Sequence, residues 1–233
     1  MNNLEIFFYL KNSEIEIVIF DKTKKNIILD KRIEINLNFN EIENLKNKIN
    51  DILKNLIIEI ESKIKHSINH INLIIEDKNT LEINASIKKN FDKSKISKDQ
   101  IEYVVQDLKQ QVSKNSDNIK INHILIKQFY INGQKIDYLP INKVCDDLII
   151  HLQFICFSKD LINSLENLFK NHQVEFSSIL CANYTKSFIS NGINNIFDSA
   201  VAIKEGLNPN EVLVIPKKPL KMGFFERLFQ IIS

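Results

Sequence analysis

Glycine is almost missing from this chain, with four in 233 residues, and there are only four prolines, three cysteines and no tryptophan. The shortage of glycine bears directly on chemistry. A phosphate-wrapping loop needs residues without a Cβ so that successive backbone amides can close on an anion. No glycine-rich phosphate loop, nucleophile elbow or Cys/His pairing is written here. The cysteines Cys145, Cys156 and Cys181 are odd in number and none forms a C-x-x-C pair. Neither a disulfide framework nor a zinc site is indicated, and a reducing cytosol is the expected setting. No segment approaches about 18 uninterrupted apolar residues and no basic and apolar leader opens the chain, so the cytoplasmic side is expected. An excess of one charge is absent too: 31 basic against 29 acidic residues leave +2, interleaved without a stripe or a stacking platform. Nucleic acid is therefore not an expected partner.

What is present is a large apolar fraction, 44%, enough for a core in one domain or two small ones. The chain opens as a meander of strands over Leu4–Leu10, Ile15–Phe20 and Asn26–Ile35. A long helix follows, with Asn40 and Glu43 at cap-like spacing. Its apolar residues Ile42, Leu45, Ile49, Ile52, Leu53, Leu56, Ile57, Ile60 and Ile64 keep a 3.6 period to about Lys65. Strands are expected at Asn69–Glu76 and Leu81–Lys88, with Lys78-Asn79 as the turn between them. Ser97 and Gln100 stand at capping-box spacing before the helical stripe Ile101, Val104, Val105, Leu108 and Val112. Next come a strand over Lys120–Asn132, the hairpin signal Asn132-Gly133, and a return through Ile136 and Tyr138 to Pro140. Leu148–Phe157 is nearly continuous in apolar residues, as expected of a strand buried on both faces. Ser158 then caps a helix with the stripe Leu161, Ile162, Leu165, Leu168 and Phe169. Val174–Cys181 reads as a further strand, and the region from Ser97 to Ile189 as one β-α-β-β-β-α-β unit. The fold class is α+β.

Beyond Ile189 the pattern weakens. Asn194–Glu205 reads as a helix, Gly206–Asn210 as a breaker cluster and Glu211–Ile215 as a short strand. Pro216–Pro219 reads as an extended linker. On a final helix, Phe224, Phe225, Leu228, Phe229 and Ile232 share one face, with Ile231 beside them, and Lys217, Lys218, Lys221 and Arg227 add positive charge. That combination fits an interfacial helix on an anionic membrane surface. The alternative is a terminal helix that docks on its own fold.

In this order the pieces resemble a shortened member of the FtsA family of actin-like cell-division proteins. The likeness rests on the opening meander and long helix, on Ser97–Leu108, on His123–Gly133, on Leu148–Phe176 and on the tail Gly223–Ile232. It implies a partial actin-like (ribonuclease H-like) subdomain over 1–80. An inserted strand-helix-strand-strand subdomain over 81–160 would follow, with its last helix and return strand running to about 190. A linker region over 191–221 and an amphipathic membrane-targeting helix over 222–233 complete the layout. The family likeness further implies a divisome adaptor at the cytoplasmic face of the inner membrane, with FtsZ- or FtsN-like partners and possible self-association. The departures are equally specific. An actin-like ATPase carries Asp-x-Gly-Ser/Thr between its first two strands, whereas this chain has Tyr9-Leu10-Lys11-Asn12-Ser13. A second glycine-rich loop is also absent, and there is no room for a second lobe. The expectation is a protein with no cofactor and no enzymatic activity. The alternative setting is a PilM-like assembly-platform component of a pilus or secretion system.

Other candidate chemistry is sparse. His66 and His70 have i, i+4 spacing, which would make a metal pair only if the first long helix reached His70. Asp146-Asp147 and Glu59/Glu61 lack an acid-base arrangement. His123, His151 and His172 are scattered, and Cys156 lies within an apolar strand as a core thiol.

Overall fold

The computed structural model describes residues 3–39, 41–190 and 192–212. These divide into two compact units: the residues up to Thr80 with Ser158–Lys204, and Leu81–Phe157 with the described residues from Glu205. The first, called the lobe, contains β1 (Leu4–Leu10), β2 (Glu14–Asp21), β3 (Asn26–Glu34), α1 (Ile42–Ile64) and β4 (His70–Ile75). The second, called the insertion, contains β5 (Leu81–Lys95), α2 (Lys98–Lys114), β6 (Ile119–Ile131), β7 (Gln134–Ile136) and β8 (Val144–Ser158). The chain then returns to the lobe as α3 (Lys159–Lys170), β9 (Glu175–Cys181), α4 (Ala182–Lys186) and α5 (Ile196–Lys204). Strand β10 (Glu211–Val212) closes the described chain in the insertion.

The lobe is one five-stranded sheet in the order β3-β2-β1-β4-β9. Its first three strands are antiparallel, while β1, β4 and β9 run parallel. Strands and helices thus share one layer arrangement, and the α+β class holds. Parallel strands need crossovers, which place helices on the sheet faces and bury the strands on both sides. Accordingly Phe7–Leu10 and Ile15–Phe20 are buried without a break. Alternate β1 side chains meet different helices: Phe8 packs edge-on against Phe169 of α3 at 5.2 Å, and Phe7 against Phe197 of α5 at 5.5 Å.

The insertion is an antiparallel sheet in the order β10-β6-β8-β5, with β7 returning beside β6. Its core lies between the sheet and α2, and includes Ile101, Val105 and Leu108 of the helix and Leu148, Ile150, Leu152 and Phe154 of β8. The capping box forms as expected: the Gln100 amide donates to Ser97 Oγ at 3.2 Å and the Ser97 amide to Gln100 Oε1 at 2.8 Å. The hairpin forms as well. Asn132 (φ 51°) and Gly133 (φ 78°) both take the left-handed conformation that a two-residue type I′ turn requires.

Four expectations need correction. The helix after Ser158 and the strand after it belong to the lobe, not to the inserted unit: β9 pairs with β4, and α3 packs with α1. The insertion therefore ends at Phe157 instead of 160, and its strand-helix-strand-strand core excludes α3 and β9. Strand β8 is not buried on both faces along its length. It alternates from Leu148 to Phe154 and is continuously buried only over Phe154–Phe157, because an antiparallel sheet carrying one helix layer buries one side. Strand β5 runs on to Lys95 across a bulge at Asp92 and Lys93, both at positive φ, which turns Phe91 into the core. Finally, α1 starts after Glu41 with no side-chain cap bond; Asn40 lies outside the described residues.

Candidate functional site at the carboxyl edge of the parallel strands

In open sheets with parallel strands, ligands bind outside the strands' carboxyl ends. Here β1 and β4 end together, with Leu10 and Ile75 as register partners. Three segments converge beyond them: the Lys11-Asn12-Ser13 turn, residues 76–80, and the loop after β3. The loop is tied down by backbone bonds from Ile35 N–H to Ser13 O (3.0 Å) and from Leu37 N–H to Asn12 O (2.7 Å). Between the three lies a cavity of about 470 Å³ lined by Asn12, Asn36, Leu37, Asn38, Phe39, Glu41, Asp77, Lys78 and Asn79.

A phosphate held at such an edge is wrapped by backbone amides of residues without a Cβ and met by a free cation. The turn has no glycine. Its cation, Lys11, is held by Glu14 at 2.5 Å and Glu16 at 2.8 Å and sits 4.5 Å over the Tyr9 ring. Burial works to lower the Lys11 pKa, but these two carboxylates outweigh it and hold the ammonium above its usual range. Arg32 reaches Glu16 as well, at 3.2 Å. Asp77, in the position after β4 where a metal-organising carboxylate would be useful, is spent on its own turn. Its Oδ1 accepts the Asn79 amide at 2.9 Å, and its carbonyl accepts the Thr80 hydroxyl at 2.7 Å. The rest of the rim carries the amides of Asn12, Asn36, Asn38 and Asn79 together with the charged side chains of Glu41 and Lys78.

Beside the cavity, the Tyr9 hydroxyl donates to Glu76 Oε2, and Lys186 of α4 pairs with Glu76 Oε1 at 2.8 Å. Burial and the Glu76 bond push the Tyr9 phenol well above its ordinary range. Burial alone would raise Glu76, but the bonds from Lys186 and Tyr9 leave it below the usual carboxylate range. At the opposite ends of the same strands, buried Asn72 joins Glu5 (2.5 Å), Ser178 (2.8 Å) and Lys204 of α5 (2.7 Å). Glu5 also takes Lys204 at 2.8 Å and Lys22 at 3.1 Å. These bonds overcome its burial and depress its pKa. Both clusters fasten helices onto the sheet, through Lys186 of α4 and Lys204 of α5.

The residues singled out from sequence fall as follows. Helix α1 ends at Ile64 with Lys65 in the left-handed conformation, and His70 opens β4, so His66 and His70 do not share a helix. His123 is buried with its Nδ1 2.7 Å from Glu211 Oε1. His151 lies against Tyr130, and His172 Nε2 is 3.2 Å from Asn50 Oδ1. All three cysteines are buried, and burial pushes the Cys156 thiol up to about 11. The membrane-contact set of Lys217, Lys218, Lys221, Phe224, Phe225, Arg227, Leu228, Phe229, Ile231 and Ile232 lies outside the described residues. Among the described residues no helix is long and apolar enough to cross a membrane. The Lys11-centred and Asn72-centred clusters were not visible in sequence. The available signal was polar residues inside apolar strands, Glu16 in Glu-Ile-Glu-Ile-Val and Asn72 in Ile-Asn-Leu-Ile-Ile.

No protein-family model matches this chain, and no curated protein does. Among the solved structures to which it is similar are the following three. One is a Bacteroides thetaiotaomicron protein with an actin-like ATPase fold (12% identity, TM-score 0.32, 89% of this chain and 58% of that one). Another is the cytoplasmic domain of EpsL, an inner-membrane component of the Vibrio cholerae type II secretion system (10%, 0.36, 78% and 57%). The third is the PilM–PilN type IV pilus biogenesis complex (8%, 0.48, 93% and 59%). The chain spans less than two thirds of each of them.

Proposed function

We propose that this chain is a non-enzymatic scaffold of a membrane-associated protein assembly. In this reading the actin-like lobe is a fixed frame instead of a nucleotide switch, and the insertion presents its sheet to protein partners. The observation that carries it is the β1–β2 turn, where a glycine-free loop and a lysine neutralised by two carboxylates occupy the place of a phosphate cradle. Of the two settings considered from sequence, pilus or secretion assembly is the one named for two of the three structures above; cell division is named for none of them. A PilM-like platform component is accordingly the preferred setting. A divisome adaptor with FtsZ- or FtsN-like partners is the second reading, and it rests on the order of the sequence stretches. In either setting the amphipathic sequence at 222–233 supplies the tether to anionic lipid at the cytoplasmic face.

Co-sedimentation with anionic liposomes tests the tether, using the intact chain, a chain ending at Pro216 and the double variant Phe225→Asp/Phe229→Asp. Only the intact chain should pellet, while all three keep the same circular dichroism. Titration of the intact chain with Mg·ATP should give no saturable heat. Saturable nucleotide binding would overturn the scaffold reading, and equal pelleting of the variants would overturn the tether.

A further inference from the structure

Strand β5 is the terminal strand of the insertion sheet, and among the described residues no strand pairs with its other side. Such an edge is a template for another strand, and folded proteins blunt it with proline, bulges or repeated lysine. From Leu81 to Ile87 this edge has none of these: the bulge lies beyond Asn90, and the first lysine is Lys88. The even-numbered residues from Glu82 to Asn90 are exposed, while Ile83, Ala85 and Ile87 are only half-buried against the α2-side core. The backbone is regular there, in unbroken register with β8 from Leu81↔Cys156 to Asn90↔Asp147.

The sequence along this edge is complementary to itself. We propose that β5 pairs antiparallel with β5 of a second copy across a two-fold axis at Ala85, joining two five-stranded sheets into one of ten. In that register Glu82 faces Lys88 twice on the outer side, Ile83 faces Ile87 twice on the helix side, and Ala85 faces itself. A two-residue shift in one direction puts Lys88 opposite Asn84 and Ile83 opposite Lys89. A shift in the other direction puts Glu82 opposite Ser86. The Ala85-centred register pairs Glu82 with Lys88 and Ile83 with Ile87 at once, with Leu81 opposite Lys89 at its ends; neither shifted register pairs acid with base, and cross-strand pairs are what fix sheet register. The same patch meeting itself is the geometry of a closed two-fold dimer. Lys89, the one lysine on the helix side, is drawn away with its ammonium 4.7 Å over the Tyr103 ring of α2. In the single chain Glu82 accepts a bond from Gln153 (2.8 Å) and Lys88 pairs with Asp147 (3.2 Å); the lysine stays largely exposed and free to share a second carboxylate.

This inference deepens the reading of the insertion as a binding unit and names its partner as a second copy. The test uses the full chain without lipid, by analytical ultracentrifugation up to roughly 100 µM, a range that populates a micromolar dimer of one strand-edge pair. The parent should show a concentration-dependent dimer. Glu82→Lys and Lys88→Glu, each placing like charges opposite twice, should weaken it by roughly ten- to thirty-fold. The double variant Glu82→Lys/Lys88→Glu should restore it to near the parental constant. Equal thermal midpoints would show that all four chains are folded. A parent that stays monomeric, or a double variant no tighter than the singles, overturns the proposal. Either result leaves lipid and nucleotide binding untouched, so the scaffold reading stands or falls separately.

Discussion

The lobe and the insertion are both sheets packed with helices, yet they bury their strands in different ways. In the lobe, Phe7–Leu10 and Ile15–Phe20 are buried at every position, because helices lie on both faces of β1. In the insertion, β5 and β8 alternate, with Ile83, Ala85 and Ile87 toward α2 and Glu82, Asn84 and Ser86 toward water. The lobe fastens α4 and α5 to its sheet through Lys186 and Lys204, whereas the insertion packs α2 through an apolar interface and ties β10 to β6 with the buried His123–Glu211 contact. The contrast is one of strand covering: Phe7–Leu10 of β1 and Ile15–Phe20 of β2 are covered throughout, whereas β5 and β8 of the insertion keep one side toward water.

The largest test of that contrast is a paired substitution. Phe8→Ala removes a ring that is 1% exposed and packed edge-on against Phe169, and should cost about 3–5 kcal/mol by urea unfolding. Gln153→Ala on the outer side of β8 should change stability by no more than about 0.5 kcal/mol. Similar losses for the two would erase the distinction. Next in size is Asn72→Ala, which strips buried partners from Lys204 and Ser178 and should cost about 1–3 kcal/mol. Its pH dependence follows from Glu5. The folded pKa of that carboxylate lies below its ordinary value of 4.5, so its contribution is complete above about pH 4.5. It is lost as pH falls through the lower folded value. The urea midpoint of the parent should therefore drop on acidification below about pH 4.5, and the drop should be shallower in Asn72→Ala. The smallest effect belongs to the insertion: Ser97→Ala opens the capping box and should cost about 1 kcal/mol, read as a shift in the thermal midpoint.

Much of this was legible in local sequence. The Ser97/Gln100 box, the Asn132-Gly133 turn and the stripe of α2 are encoded within a few residues of one another, and each formed as written. What sequence misplaced was long-range. Nothing within α3 states that the helix lies beside α1, or that Phe169 of its stripe meets Phe8 of β1, about 160 residues earlier, instead of the adjacent β8. The burial of β8 was misread because a continuous apolar run does not reveal how many layers cover it; Ile149 is only half-buried. The fastening clusters were invisible for a related reason. Glu16, Glu76 and Asn72 look like ordinary polar interruptions until the strand order brings Lys11, Lys186 and Lys204 to them.

Strand β10 has a mechanical consequence. After α5 the chain crosses to the insertion and adds Glu211 and Val212 beside Leu125 and Ile124, with Val212 in the core and Glu211 against His123. A pull applied to the chain beyond Val212 is thus delivered first to β6, through a two-residue splice, before any of it reaches α5 and the lobe. So short a splice meets the pull with the Glu211↔Leu125 and Val212↔Ile124 pairs and the Glu211–His123 contact beside them.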